Sequence, residues 1–181
     1  IQAATAVVVA IDLGRPTLFH QLRMGRGGQP FRVFKFRSMR HQPEIGPPLS
    51  DDERVTPLGR AIRRFRLDEL PQTLLILTGK MSLVGPRPLY PGGHASENDG
   101  LFQRRHRVRP GMTGWAQVNG NTLLTEREKL ALDVDYVSRA TLIFDLRILW
   151  LTVLTVLRGE RRNEANIERA LIHADRLDRH G

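Results

Sequence analysis

Between Thr56 and Arg66 the chain places Leu58, Ala61, Ile62 and Phe65 at helical spacing, leaving Arg60, Arg63, Arg64 and Arg66 on or near the opposite, polar side. Thr56 suits the cap of that helix. Pro57 suits its first position, where a missing N–H costs nothing and the ring presets the helical φ. Pro71 is tolerated in a first turn but not in a helix interior. The pattern therefore predicts a break near Leu67 and a second helix from about Asp68 or Glu69, through Leu74 and Leu77, to a stop at Gly79. Farther on, Leu130, Val134 and Val137 share one side of a helix over 126–137. Residues 142–157 are nearly all apolar, interrupted by Asp145, Arg147 and two threonines.

Two short runs, 18–23 and 31–36, flank Gly25-Arg26-Gly27-Gly28 and read as a hairpin whose glycines permit positive φ. A phosphate-cradling loop is the sharper alternative, but the strand, spacing and following helix of a dinucleotide fingerprint are missing. Strands do not alternate with helices, so the expected class is α+β: mostly helical around a small antiparallel hairpin, not a doubly wound sheet. Residues 41–52 read as a mobile loop and 90–100 as another loop, with His94 solvated rather than a catalytic base. Residues 1–11 are mainly apolar but fewer than the ~20 needed to cross a bilayer. Their pattern leaves a buried strand and a buried helix both open. With no initiator Met and no basic leading segment, the stretch reads as neither a complete gene product nor a signal peptide.

A chain of 181 residues is long enough for one domain with a real core. Its 28 basic and 19 acidic side chains leave a net charge of +9, with a pI near 11.2. That balance predicts an anionic partner: nucleic acid, an anionic membrane surface or a phosphorylated substrate. The absence of cysteine excludes disulfides and thiolate metal sites. Arg104, Arg105, His106, Arg107 and Arg109 read as a solvated basic face or as contacts to lipid headgroups, and the overall charge favours the second. The apolar run 142–157, charged within and followed by Arg158, Arg161 and Arg162, fits the membrane interface better than a crossing, with a core helix as the competing reading.

The chemistry concentrates at Asp68 and Glu69. At the start of the predicted second helix, free N–H groups and neighbouring arginines are expected to hold Asp68 ionised and aimed, as a carboxylate nucleophile requires. Glu69 is then placed to bind a divalent cation beside phosphate oxygens, which suits Mg2+. Asp-Glu near a helix start is also a common capping pattern. Gly85-Pro86-Arg87-Pro88 shifts the balance towards chemistry, because two prolines stiffen a turn around an arginine whose planar fork matches a phosphate. Lys35 and Arg37 end the second predicted strand on one face and are expected at the site.

Four blocks occur in order: Lys35-Phe36-Arg37-Ser38-Met39, Leu67-Asp68-Glu69-Leu70-Pro71-Gln72, Met81-Ser82-Leu83-Val84-Gly85-Pro86-Arg87-Pro88, and the stretch from Pro110-Gly111-Met112-Thr113-Gly114 through Trp115-Ala116-Gln117-Val118-Asn119-Gly120. Together they closely resemble the bacterial sugar transferases, the monotopic polyprenyl-phosphate phosphoglycosyl transferases that start polysaccharide assembly. The likeness runs over 14–158.

The resemblance implies a reaction in which a carboxylate attacks the sugar-linked phosphorus of a UDP-sugar, releases UMP and passes the phosphosugar to polyprenyl (undecaprenyl) phosphate. It assigns Asp68 as nucleophile, Glu69 as the partner linked to Mg2+, and Lys35, Arg63 and Arg87 to the phosphates. It also implies membrane lipids as partners, and a monotopic protein of the bacterial inner (cytoplasmic) membrane with its site on the cytoplasmic face. Residues 1–11 become the remnant of an N-terminal re-entrant membrane helix, 12–158 the catalytic domain and 159–181 a charged C-terminal tail. Asp133 and Tyr136 match family positions, with a structural hydrogen bond and a substrate contact both open. Lys80 and Asn121 depart from the usual pattern, which has Asp and Arg there. Two rival readings are a basic nucleic-acid-binding module and a soluble nucleotide-sugar hydrolase. Only 6% aromatic residues and no recognisable nucleic-acid motif weigh against the first.

Overall fold

A computed structural model describes residues 1–43, 46–92 and 100–179, so His94 and part of the loop expected at 41–52 lie outside the described residues. The chain forms two compact units. One holds Ile1–Gln21 with Arg32–Leu74, and the other holds Leu22–Phe31 with the chain from Leu75 onward. The expected hairpin is present, with β1 (Leu18–Met24) paired to β2 (Pro30–Phe36). Its connection is a turn closed by the Gly25 N–H on the Gln29 carbonyl at 2.8 Å. Gly27 and Gly28 adopt φ of 64° and 73°, which residues with a Cβ rarely adopt.

In the first unit, α1 (Gln2–Leu13) leads into the hairpin strands, followed by α2 (Asp51–Arg54) and α3 (Pro57–Arg64). Thr56 caps α3 as expected, its Oγ1 accepting from the Gly59 N–H at 2.8 Å. The same hydroxyl donates to Asp12 Oδ2 at 2.6 Å, which ties α1 to the cap. The apolar face of α3 is narrower than its spacing predicts. Ile62 is buried against Val9 and Phe36, with Leu58 beside them, whereas Phe65, at the C-cap, is 57% exposed. Gly59 is buried instead. A Cβ there would lie 2.1 Å from the Ser38 carbonyl oxygen, so only glycine allows this approach of helix to chain.

The break expected near Leu67 falls at Arg66, which adopts a left-handed conformation at φ 56°. A 3-10 segment, Leu67–Gln72, accommodates Pro71 and runs into α4 (Thr73–Leu77). Gly79, at φ 73°, follows as the predicted stop.

The second unit contains a strand pair that the sequence did not suggest. β3 (Ser82–Val84) lies parallel to β4 (Gly111–Thr113). Around them are α5 (Gly100–Arg105), α6 (Trp115–Val118), α7 (Glu126–Arg139), α8 (Leu142–Arg158) and α9 (Glu164–Arg179). Glycines explain how two of the motif blocks lock together. A Cβ on Gly111 would meet the Gly85 nitrogen at 2.1 Å, and one on Gly114 the Gly85 carbonyl oxygen at 2.1 Å.

The core gathers Val84, Leu101, Trp115, Leu132, Val134 and Ile148. The charged tail is a helix with a buried side: Ile167, Ala170 and Ala174 of α9 enter that core. No described helix is long and apolar enough to cross a membrane.

The basic run over 101–109 is not uniformly a surface. Arg104, Arg107 and Arg109 keep access to solvent, but Arg105 and His106 are buried at 3% and 8% exposure. The reason is a partner 28 residues away: Arg105 donates to Asp133 Oδ2 from Nη2 at 2.6 Å and from Nε at 3.1 Å.

Candidate active site

The dyad sits in the first turn of the 3-10 segment, just after strained Arg66. Residues held in sparsely populated backbone regions gather where a site over-determines them. Glu69 is buried and ionically engaged, with Lys35 Nζ at 2.6 Å from Oε1 and Arg66 Nη1 at 3.7 Å from Oε2. Lys35 therefore stands where its position on β2 placed it. Arg63 is exposed and oriented by Ser38, whose Oγ accepts from Nε at 2.8 Å. The structure thus gathers Lys35, Arg63, Asp68 and Glu69 within the first unit.

Arg37 departs from expectation. It is 8% exposed, and its guanidinium donates to the Pro16 carbonyl at 2.7 Å and the Leu13 carbonyl at 3.0 Å. It closes the C-terminal end of α1, where unsatisfied carbonyls attract a cation. Spacing along β2 predicts a shared face for Lys35 and Arg37 but not what each meets.

The electrostatics of Asp68 also differ from the expected picture of a carboxylate held ionised by the helix start and arginines. Burial pushes its pKa up, the charge of Glu69 pushes the same way, and Lys35, a local backbone hydrogen bond and Arg63 pull it down without prevailing. A short 3-10 segment lacks the aligned peptide dipoles of a long helix, so the desolvation of half-buried Asp68 wins. The result is a more basic carboxylate, and hence a better nucleophile once ionised, with a larger protonated fraction in mild acid.

The direction yields a prediction. Lys35→Met removes a group that lowers the Asp68 pKa, so the titration of this carboxyl moves to higher pH. Glu69→Gln removes one that raises it, so the titration moves to lower pH. A 13C NMR titration of the Asp68 carboxyl carbon in the two variants reads both.

Among the described residues no group of three or more His, Asp or Glu side chains converges as a ready-made metal centre. Mg2+ keeps much of its water and commonly takes one or two carboxylates together with substrate phosphates. Glu69, already engaged by Lys35, fits that role as a single protein ligand beside phosphate oxygens and water.

Arg87 lies in the second unit, on the loop after β3. Its carbonyl accepts from Arg105 Nη2 at 2.7 Å, so the buried Arg105–Asp133 pair holds the loop by its backbone. Arg23, on the hairpin tip, donates to the Pro88 carbonyl at 3.3 Å and covers the Tyr90 ring at 3.4 Å from its centroid. Arg87 also lines a cavity of about 410 Å³ with Arg23, Gln117 and Asp133. Of the two positions left open by the sequence, Asp133 meets Arg105. The Tyr136 hydroxyl donates to Asp145 Oδ1 at 2.8 Å, and burial together with Asp145 pushes its pKa up. The partners Arg105, Asp12 and Arg66 escaped sequence reasoning, since nothing in a linear pattern pairs residues so far apart or foresees a left-handed arginine.

The profile of the family described as Bacterial sugar transferase matches residues 1–159. The chain is 43% identical over 166 residues to the uncharacterized sugar transferase EpsL of Bacillus subtilis, covering 90% of this chain and 80% of that protein. It is 42% identical over 173 residues to the UDP-glucose:undecaprenyl-phosphate glucose-1-phosphate transferase of Xanthomonas campestris pv. campestris, covering 87% of this chain and 35% of that protein. With the protein of the same name from Escherichia coli the identity is 39% over 163 residues, 82% of this chain and 34% of the relative. The chain thus spans about a third of the length of those two relatives and most of the first. Carrying the dyad and all four motif blocks, and matched along most of its length, the chain belongs to the bacterial sugar transferase family.

Proposed function

We propose that this chain moves a sugar 1-phosphate from a UDP-sugar to undecaprenyl phosphate in two steps through Asp68. An Asp68 carboxylate oxygen attacks the sugar-linked phosphorus, the bond from that phosphorus to the bridging oxygen breaks, and UMP leaves with the bridging oxygen. The resulting acyl phosphate is then attacked at phosphorus by an oxygen of undecaprenyl phosphate, which restores the Asp68 carboxylate and yields the sugar diphospho-lipid. Phosphoryl transfer depends mainly on positioning and on charge neutralisation. Lys35 and Arg63 supply positive charge beside the dyad, and Arg87 offers a planar fork to a phosphate.

The observation that carries the reading is Asp68 itself: a carboxylate made more basic by burial, set among Glu69, Lys35 and Arg63. Mg2+ held through Glu69 supplies neutralisation of the diphosphate charge. The names of the Xanthomonas and Escherichia relatives support the donor and acceptor classes. UDP-sugar and undecaprenyl phosphate together release UMP under this reading, and EDTA abolishes the release. Full turnover in EDTA removes the metal from the mechanism.

The exposed face of α8 supports membrane association. Leu142, Ile143, Leu146, Trp150, Val153 and Leu157 are each more than half exposed and recur along one side of the helix, while Ile148 on the other side is fully buried. An amphipathic helix of this kind lies in the interface, with basic residues drawn to anionic headgroups. The apolar helix α1, with Ile1 and Ile11 exposed, offers a further apolar surface for anchoring. Under this reading the protein is monotopic in the inner membrane with its site on the cytoplasmic face. The chain is expected to co-sediment with anionic vesicles and to remain bound in a high-salt wash, because salt screens charge but not apolar insertion. Complete release by salt refutes insertion.

A further inference from the structure

The block around Trp115 in the second unit is buried and almost fully satisfied. Trp115 Nε1 donates to Asp135 Oδ2 at 3.2 Å. Asn119 donates to the Trp115 carbonyl at 2.7 Å and accepts from Asn166 at 2.8 Å. Thr113 and Thr152 share a hydrogen bond at 2.7 Å. Gln117 is the exception. It is 4% exposed, and neither its amide nitrogen nor its amide oxygen has a partner. Exchanging the two atoms would leave the same deficit.

Gln117 lines the 410 Å³ cavity, and so does a second orphan, the Oδ1 of Asp133, whose other oxygen is held by Arg105. An unpaired buried polar group costs about 1–3 kcal/mol, and such orphans in native proteins call for an explanation such as a ligand or a water. Arg23 and Arg87 bring positive charge to the same walls.

We propose that this cavity receives a sugar ring attached to phosphate, with Gln117 as its specificity-determining residue. The inference rests on the reaction proposed above. A carboxylate oxygen accepts but does not donate, whereas a carboxamide does both. The ligand must therefore present donors to Asp133 Oδ1 and both donors and acceptors to Gln117. Neighbouring hydroxyls on a sugar do this, and an adjoining phosphate matches the arginines. A nucleotide sugar carries two such rings, the ribose and the transferred sugar.

The test is titration calorimetry on the full chain in nanodiscs, in an Asp68→Asn background that stops turnover, with UDP-glucose and UMP as probes. Gln117→Met preserves size and removes the hydrogen bonds. It is expected to weaken UDP-glucose about 10- to 100-fold, as the loss of one or two buried hydrogen bonds does, while the melting temperature of the free protein stays level or rises. Equal weakening of UMP identifies the ribose as occupant, and unchanged UMP identifies the transferred sugar.

A second measurement needs no variant at position 117. In the same background, 2′-deoxy-UMP is compared with UMP, and UDP with UDP-glucose; loss of hydroxyls from the bound ring should lower affinity. Unchanged affinity in Gln117→Met, or indifference to hydroxyls on both rings, overturns the proposal in favour of a trapped water. If UMP release by the parent persists in that case, the pocket alone fails. A parent that binds no nucleotide sugar overturns the proposed reaction as well.

Discussion

Asp68→Asn is expected to abolish both the stoichiometric burst of UMP and the gain in protein mass of one phosphosugar that the proposed reaction predicts for the parent with UDP-sugar alone. A carboxylate that attacks phosphorus must become an acyl phosphate, so donor without lipid acceptor stops after one half-reaction, and the full kinetics are ping-pong. The amide is a poor nucleophile, and turnover should fall on the order of 10⁴-fold or more. UDP-sugar binding should change little, since the cations Lys35, Arg63 and Arg87 remain.

The variant should also be more stable at neutral pH. The folded-state pKa of Asp68 is raised. Its contribution to stability is therefore present below the unfolded value and lost as pH rises through the folded value. Asparagine removes that loss, so the gain in melting temperature is larger at pH 7 than at pH 4. Intact-mass spectrometry and a melting series read the two halves separately. A burst retained by the Asn variant, or UMP that appears only with lipid acceptor, makes direct displacement by the lipid phosphate the mechanism.

Arg105→Met should destabilise the fold by about 3–5 kcal/mol, the usual cost of leaving one partner of a buried ion pair unmatched. Both side chains are nearly inaccessible, at 2% and 4% exposure. The same substitution removes the donor to the Arg87 carbonyl, so nucleotide-sugar affinity should fall as well. Chemical unfolding in detergent measures the first effect and calorimetry the second. Replacing both residues, as Arg105→Met with Asp133→Leu, should recover much of the stability, because an apolar pair has no charge to desolvate. Affinity should not recover with it, since the loop carrying Arg87 still lacks its tether. A single variant as stable as the parent would show that water reaches the pair.

Features governed by neighbours three or four residues apart were legible from the chain. The Thr56 cap, the start at Pro57, the break before Leu67 and the glycine turn between β1 and β2 all stand where local sterics and hydrogen bonding put them. The helices over 126–137 and 142–157 appear as α7 and α8 for the same reason. Lys35 reaches the dyad as expected, and the α+β class with its hairpin follows from periodicity alone.

What the sequence could not decide depends on distances between residues remote along the chain. Arg105 looked like one cation in a basic run until Asp133 appeared against it. Arg37 looked like a residue of the site until the end of α1 took it. The parallel pairing of β3 with β4 needed Gly85 and Gly111 to meet. The sequence predicts an Asp68 held ionised because helix ends and arginines are visible in it; burial is not, and its desolvation raises the pKa. By itself, then, the sequence determined the local elements, the motif order and the residue types of a phosphoryl-transfer site. Tertiary structure decided which charges are neutralised, which are desolvated and which buried groups lack partners, because Coulombic and solvation energies depend on separations in space that chain order does not encode.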